Sequence, residues 1–269
     1  MIEDPFQISI GILLVIVFGV FSLKLKIVDF TGFLAGLVVG GFIYIFGDWR
    51  WFIIVLTFHL VAGFFTKYKY KQKREKGGAE EKGGARAWQN IIANGGVAAL
   101  FAFAEGFTSL EYFFAGFLGA VSTATADTLA TEIGLLYSGE PRLITDLKKK
   151  VPPGTSGGVS FLGEIATILG AGLIGLVAWT LNPQTWSLPT ILIVALISGF
   201  LGSTLDSLIG ATVQAKYRCS VCGKITEKRH HCNHPSIYLG GNRAIDNNVV
   251  NLLATLFGAF IGIFVLYIF

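Results

Sequence analysis

The sequence predicts an all-α integral membrane protein, a single-domain bundle of about eight transmembrane helices with site-bearing loops in the cytoplasm. Of its 269 residues 53% are hydrophobic and only 14% are charged, whereas a soluble domain carries roughly 25% charged residues. Apolar runs near the ~20 residues that cross a bilayer occur eight times, at 6–23, 28–46, 49–66, 88–104, 108–126, 156–181, 186–213 and 244–269.

The positive charges predict the orientation of these helices. All of the 21 lysines and arginines except Arg50 fall in the first, third, fifth and seventh connections. Because cytoplasmic loops carry the excess of Lys and Arg, we expect both termini outside and these connections inside, at a prokaryotic plasma membrane. The net charge of +4 is therefore explained mainly by the excess of Lys and Arg in cytoplasmic loops. Attraction of these loops to anionic lipid is a second effect. It gives no reason to expect nucleic acid as a partner.

The first third of the chain is predicted to be scaffold. Residues 1–66 place almost no polar side chain in the membrane besides His59, and a lone histidine among aromatic residues is more often structural than functional. Residues 67–87 are basic and contain two Gly-Gly pairs, which predicts a flexible cytoplasmic loop near the lipid headgroups. This loop is either a solvated linker or a mobile cover over a site. Residues 88–269 hold the helices predicted to be catalytic.

The stretch Gly119–Gly134, GAVSTATADTLATEIG, begins as small, apolar membrane sequence but ends with Asp127 and Glu132. An acid in a membrane helix usually faces a cavity or a partner. Helical spacing puts Asp127 on one face with small residues, namely Thr123, Ala130, Thr131 and Gly134. Asp127 and Glu132 lie about 140° apart around a helix, so both serve one site only if the helix ends between them. The alternative is close helix packing around a hydrogen-bonded Asp127.

A second cluster suits phosphate. Three lysines precede a proline stop and a glycine-rich turn that begins the predicted sixth helix: Lys148, Lys149 and Lys150, then Gly154, Thr155, Ser156, Gly157 and Gly158. Free N–H groups and the positive end of a helix favour an anion, and glycines let the backbone approach it. The residue order is not that of a Walker A loop. The alternative is an ordinary capped loop with positive-inside lysines.

Other helices add acids and amides. The pattern Thr-x-Asp-[Ser/Thr]-Leu occurs around Asp127 and again around Asp206, so two parallel helices would bring two aspartates to one cavity unless the match is chance. Polar residues also open the fourth and last helices, where capping is the alternative: Asn90, Asn94, Arg243, Asp246, Asn247, Asn248 and Asn251.

All three cysteines lie in the seventh connection, within 216–240. Cys219, Cys222 and Cys232 join His234 to give three thiols and an imidazole within 16 positions. A structural disulfide is not expected in the reducing cytoplasm. This set, with one pair at CxxC spacing, suits a tetrahedral structural Zn²⁺. Redox-active or unligated cysteines are the alternative.

Acids, amides, hydroxyls and cations at one end of the bundle favour Mg²⁺–phosphate chemistry. Five segments together resemble the polytopic membrane family that includes phytyl-phosphate kinase, and the resemblance covers nearly the whole chain. These segments are NGG at 94–96, STATADTLATEIG at 122–134, GTSGGVS at 154–160, GSTLDSLIGA at 202–211 and NRAIDNNVVN at 242–251.

The resemblance implies an enzyme that transfers the γ-phosphoryl group of a nucleoside triphosphate, with CTP as first candidate, to an isoprenyl monophosphate such as phytyl or geranylgeranyl phosphate. In that role the Mg²⁺ ligands would be Asp127, Glu132, Asp206 and Asp246. Phosphates would bind Lys148–Lys150, the Gly154–Gly158 turn and Arg243. Oxygens would be oriented by Asn94, Asn247, Asn248 and Asn251.

Two other functions stay open. A CTP-dependent lipid cytidylyltransferase would release pyrophosphate rather than a nucleoside diphosphate. A transporter would use the intramembrane acids without nucleotide, but these acids cluster at one face, whereas transport sites lie near the membrane midplane. The sequence leaves open the prenyl chain length, the preferred nucleotide and the oligomeric state, a homodimer included.

Overall fold

The computed structural model describes residues 4–80, 82–182 and 186–269. Within them are eight helices that are long and apolar enough to cross a membrane, as the sequence predicts, and one short helix. In chain order the helices are α1 (Pro5–Lys24), α2 (Phe30–Gly47), α3 (Trp49–Lys67), the short α4 (Tyr70–Lys76), α5 (Trp88–Thr108), α6 (Glu111–Gly134), α7 (Phe161–Leu181), α8 (Leu188–Thr212) and α9 (Asn247–Ile268).

Short polar residues set the ends of these helices. The carboxylates of Asp4, Asp29 and Asp246 each accept a backbone N–H in the first turn of α1, α2 and α9, which satisfies donors that a helix start leaves without a partner. Asp48 separates α2 from α3, and its side chain caps α3. The turn between these two spans therefore needs only one residue.

Helix α6 is the centre of the bundle. Its membrane window is 83% buried, and it contacts α3, α5, α7, α8 and α9. The contacts with α8 and α9 are so close that a Cβ on Gly202 or on Gly258 would overlap the side chain of Thr123. Small residues allow this close approach. As a result, polar residues of α6, α8 and α9 lie near one another at one end of the bundle.

Two small antiparallel sheets cover that end. Strands β1 (Arg142–Leu143), β2 (Asp146–Lys150) and β3 (Gly158–Val159) form the order β2-β1-β3 between α6 and α7. Strands β4 (Lys216–Cys219), β5 (Ile225–Thr226), β6 (His230–His231) and β7 (His234–Gly240) form the order β5-β4-β7-β6 between α8 and α9. The all-α prediction is confirmed for the membrane bundle, whereas its loops contain strands.

Two predicted helix boundaries are wrong. The sixth span begins at Phe161 rather than 156, because Gly158 and Val159 pair with β1 and the Ser160 hydroxyl caps the helix by accepting the Gly163 N–H at 3.1 Å. The glycine-rich turn is therefore not a helix N-terminus. Helix α6 runs unbroken past Glu132 to Gly134, so Glu132 points to a different partner from Asp127.

Residues 67–87, which we call the α4 segment, contain a helix where the sequence predicts a flexible loop. The Lys73 side chain is fully buried; its Nζ donates to the carbonyl oxygens of Phe65 and Thr66 and forms an ion pair with Glu132. The Nζ of Lys76 donates to carbonyl oxygens just beyond α6, at 2.8 and 2.7 Å. These two lysines fasten the α4 segment across the end of α6.

Candidate functional site

A polar cavity of about 1460 Å³, part of it open to solvent, lies at the loop-bearing end of the bundle. Helices α5, α6, α7, α8 and α9 form its inner wall, and the α4 segment and both sheets contribute to its rim. Three of the acids that line it act on one another electrostatically: Asp127 of α6, Asp206 of α8 and Glu227, which directly follows β5. The repeated sequence pattern around Asp127 and Asp206 thus meets in one cavity.

Each of the three carboxylates is held by neutral polar groups. The Ser203 hydroxyl donates to Asp127 at 3.3 Å. Asn251, with its amide oriented so that both polar atoms are satisfied, donates to Asp206 at 3.0 Å and accepts from Asn94 at 3.1 Å. The carboxylates are close enough that Asp206 is repelled by both other acids. Acids held this close together are typical of sites that bind a divalent cation.

Glu227 was not among the predicted site residues. The Gln214 amide and the Ser156 hydroxyl donate to its carboxylate, at 2.9 and 3.2 Å. Burial raises the pKa of Glu227, and the nearby Glu80 carboxylate raises it further. Its local sequence, ITEKRH, has no periodicity that would predict a position in the site. Glu227 lies near the membrane helices because β5 pairs with β4.

The glycine-rich turn, which the sequence predicts to bind phosphate, forms one wall of the cavity. All five residues from Gly154 to Gly158 line it. Gly157 has φ +76°, and a Cβ there would overlap Ala211 of α8, so the turn lies directly on the helix that carries Asp206. Across the cavity a Cβ on Gly154 would lie 3.0 Å from the Cα of Gly78, which brings the α4 segment to the rim.

The predicted cations are not in the cavity. Lys148, Lys149 and Lys150 lie on the exposed strand β2, where Lys150 pairs with Glu140 at 2.8 Å. Arg243 is exposed, and its guanidinium lies 4.4 Å from the centre of the Tyr238 ring. All four residues lie in a sheet or in the turn beside it, and their side chains are exposed.

Arg86 and Lys228 are the cationic side chains that line the cavity among the described residues. Arg86 is only 8% exposed. Its backbone is fixed by the α1–α2 connection, since its N–H donates to Ile27 and its carbonyl accepts from Asp29, both at 3.0 Å. Its Nη2 lies 3.4 Å from the Thr66 hydroxyl. The predicted set missed Arg86 because it ends a basic tract that reads as linker.

The remaining predicted residues divide between the cavity and its surroundings. Asn94, Asn247 and Asn251 line it, whereas Asp246 and Asn248 do not. Asp246 is the cap of α9, accepting from the backbone N–H groups of Asn248 and Val249 at 3.0 and 3.1 Å. Glu132 reaches the cavity wall, but its carboxylate is paired with Lys73.

Beside the cavity, four metal-ligand side chains converge in the β4–β7 sheet. The ligand atoms of Cys219, Cys222, His231 and Cys232 all lie within 4.8 Å of one another. The predicted fourth ligand, His234, instead has its Nδ1 2.9 Å from the Cys232 carbonyl. Cys232 and Asn233 both have positive φ, and this tight β6–β7 turn brings His231 to the thiols.

The same cluster favours a thiolate. Backbone N–H groups of Cys222 and Val221 each donate to the Cys219 sulfur at 3.4 Å. These hydrogen bonds lower the pKa of Cys219 to about 6, and the bond from the Cys222 N–H has the largest effect. A thiol must lose its proton to bind a metal, so the turn prepares Cys219 for that role.

Comparison with known proteins agrees with the membrane fold. The chain is 26% identical over 263 residues to an uncharacterized membrane protein of Methanocaldococcus jannaschii, covering 98% of this chain and 96% of that one. It is 29% identical over 266 residues to Protein PGR of Arabidopsis thaliana, covering 89% of each. It is also 29% identical over 170 residues to chloroplastic Protein VTE6 of the same plant, covering 61% of this chain and 50% of that one.

No solved structure matches the chain. The family described as Integral membrane protein DUF92 matches residues 13–259, which include every residue that lines the polar cavity. The membership that the combined motifs indicate is therefore confirmed: this chain belongs to the DUF92 family of integral membrane proteins.

Proposed function

We propose that this protein is a membrane kinase that transfers the γ-phosphoryl group of a nucleoside triphosphate, CTP first, to an isoprenyl monophosphate, with its polar cavity facing the cytoplasm. One observation carries the proposal: Asp127, Asp206 and Glu227 share a cavity with a glycine-rich turn and a buried arginine. The motifs shared with the phytyl-phosphate kinase family supply the substrate class.

The donor set fits Mg²⁺. Asp127, Asp206 and Glu227 offer hard carboxylate oxygens, which Mg²⁺ prefers, while Ser203 and Asn251 orient two of them. A bound Mg²⁺ would neutralise charge on the transferring phosphoryl group. Asp246 is not proposed as a ligand, because its carboxylate is occupied as a cap, and Glu132 is assigned to the ion pair with Lys73.

The chain's own residues bring two polyanions together. The Gly154–Gly158 turn lets backbone groups approach the nucleotide phosphates, and Arg86 offsets the charge of the acceptor phosphate. An oxygen of that phosphate attacks the γ-phosphorus, the bond from the γ-phosphorus to its bridging oxygen breaks, and the nucleoside diphosphate leaves with the electron pair. The acceptor oxygen is already ionised, so the reaction requires no strong general base.

The proposal is tested by mixing the purified protein with Mg²⁺, geranylgeranyl monophosphate and each of the four nucleoside triphosphates, then resolving the products. We expect geranylgeranyl diphosphate together with a nucleoside diphosphate. A nucleotide-linked lipid with pyrophosphate would instead identify a cytidylyltransferase. Absence of any turnover, combined with nucleotide-independent uptake into proteoliposomes, would identify a transporter.

We also propose that Cys219, Cys222, His231 and Cys232 hold one structural Zn²⁺, since four protein ligands leave no open position. We expect about one zinc per purified chain. His231→Ala should lower this content and the thermal stability, whereas His234→Ala should change neither. Equal zinc content in both variants, measured by mass spectrometry of the metal, would refute the assignment of His231.

A further inference from the structure

A second cavity lies between α5 and the three helices that the sequence predicts to be scaffold. It spans about 730 Å³, a volume that includes space open to the surroundings, and is bounded by α1, α2, α3 and α5. Most of its wall is apolar or glycine, including Phe18, Gly36, Val39, Phe52 and Ile91. We call it the apolar cavity.

Polar side chains within the membrane part of the apolar cavity are already paired. His59 Nε2 and the Ser22 hydroxyl lie 2.9 Å apart, and both line the wall. They satisfy each other, so this part of the cavity offers contact to hydrocarbon rather than to a polar ligand.

The apolar cavity meets the polar cavity at three residues. Arg86, Asn90 and Asn94 line both. Among the described residues, Nε of Arg86 and Oδ1 of Asn90 are buried without a hydrogen-bond partner. Buried polar atoms are normally hydrogen-bonded, and leaving one unpaired costs free energy. These two atoms therefore mark a position where a polar ligand group fits, at the end of a hydrocarbon-lined space.

We propose that the apolar cavity binds the isoprenyl tail of the acceptor, and that Arg86, Asn90 and Asn94 hold its phosphate facing Asp127 and Asp206. This inference rests on the proposed function and names the acceptor subsite. An apolar volume that ends at a buried cation matches a lipid with a single anionic head. It assigns α1, α2 and α3 to substrate binding rather than to scaffold alone.

Two glycines of α2 give a matched test. A Cβ on Gly36 or on Gly41 would meet no heavy atom within 4 Å, but only Gly36 lines the apolar cavity. Both positions therefore accept a Cβ without a clash, and leucine favours a helix more than glycine does. Gly36→Leu fills the apolar cavity, and Gly41→Leu adds the same side chain outside it.

The experiment measures binding without nucleotide, using geranylgeranyl and isopentenyl monophosphate as probes, and then turnover. We expect Gly36→Leu to weaken geranylgeranyl binding by about tenfold or more, the cost of displacing roughly two methylene groups from apolar contact. Binding of the five-carbon probe should be unchanged, and Gly41→Leu should behave as wild type. Should the leucine variant fail to fold, Gly36→Ala is expected to shift chain-length preference toward shorter acceptors.

The outcomes separate this inference from the proposed function. Turnover in wild type with equal geranylgeranyl affinity in both glycine variants would overturn the tail site and leave the kinase standing. Tail binding that Gly36→Leu weakens, without any turnover, would keep the tail site and refute the kinase. Absence of isoprenyl phosphate binding in wild type would refute both.

Discussion

Asp127→Asn is expected to reduce kcat by roughly 10³-fold, because it removes one of the charges that hold and balance Mg²⁺ beside the transferring phosphoryl group. Asparagine keeps the shape of the side chain and can still accept the hydrogen bond from Ser203. The protein should therefore remain folded in detergent, with a melting temperature close to wild type. Steady-state kinetics at several Mg²⁺ concentrations measure the loss.

Asp246→Asn is the matched control. The sequence predicts that Asp246 binds the metal, whereas the structure makes it the cap of α9. Asparagine caps a helix about as well as aspartate, so this variant should retain both stability and activity. Near-normal turnover in Asp127→Asn would show that Asp127 does not hold the metal. A comparable loss in Asp246→Asn would show that Asp246 does more than cap α9.

Lys73→Met is expected to release the α4 segment from the bundle. It leaves the carboxylate of Glu132 buried, 5% exposed, without its ion-pair partner. Breaking such a pair from one side costs about 3–5 kcal/mol. We expect faster trypsin cleavage after Arg74 and lower activity, because residues 77–80 of this segment line the polar cavity.

Two further variants test the cause. Lys71 is exposed in the same helix, so Lys71→Met should leave cleavage after Arg74 unchanged. The double variant Lys73→Met/Glu132→Gln removes both charges and should recover much of the protection. Cleavage that is equally fast in the single and double variants would mean that the methionine itself, rather than the uncompensated charge, loosens the segment.

The helical part of this site could be predicted because helices obey a fixed period. Apolar runs give the spans, and the pattern repeated in α6 and α8 predicts that Asp127 and Asp206 share a cavity. Glu227 and His231 could not be assigned, because their positions depend on strand pairing in a short, irregular sheet. The sequence alone does not distinguish the basic residues that lie outside the cavity, Lys148–Lys150, from the one that lines it, Arg86. The fold of the loops exposes the lysines and buries the arginine.

The ion pair between Lys73 and Glu132 also bears on how the protein enters the membrane during synthesis. Helix α6 has the lowest mean hydropathy of the eight candidate spans, yet it is the most buried. An acid within a span opposes insertion, by up to about 2.5–3.5 kcal/mol when it lies at the centre of the span. Lys73 and Arg86 precede α6 in the chain, so both leave the ribosome before the helix whose acids they face. The order of translation thus supplies α6 with its counter-charges before it partitions into lipid.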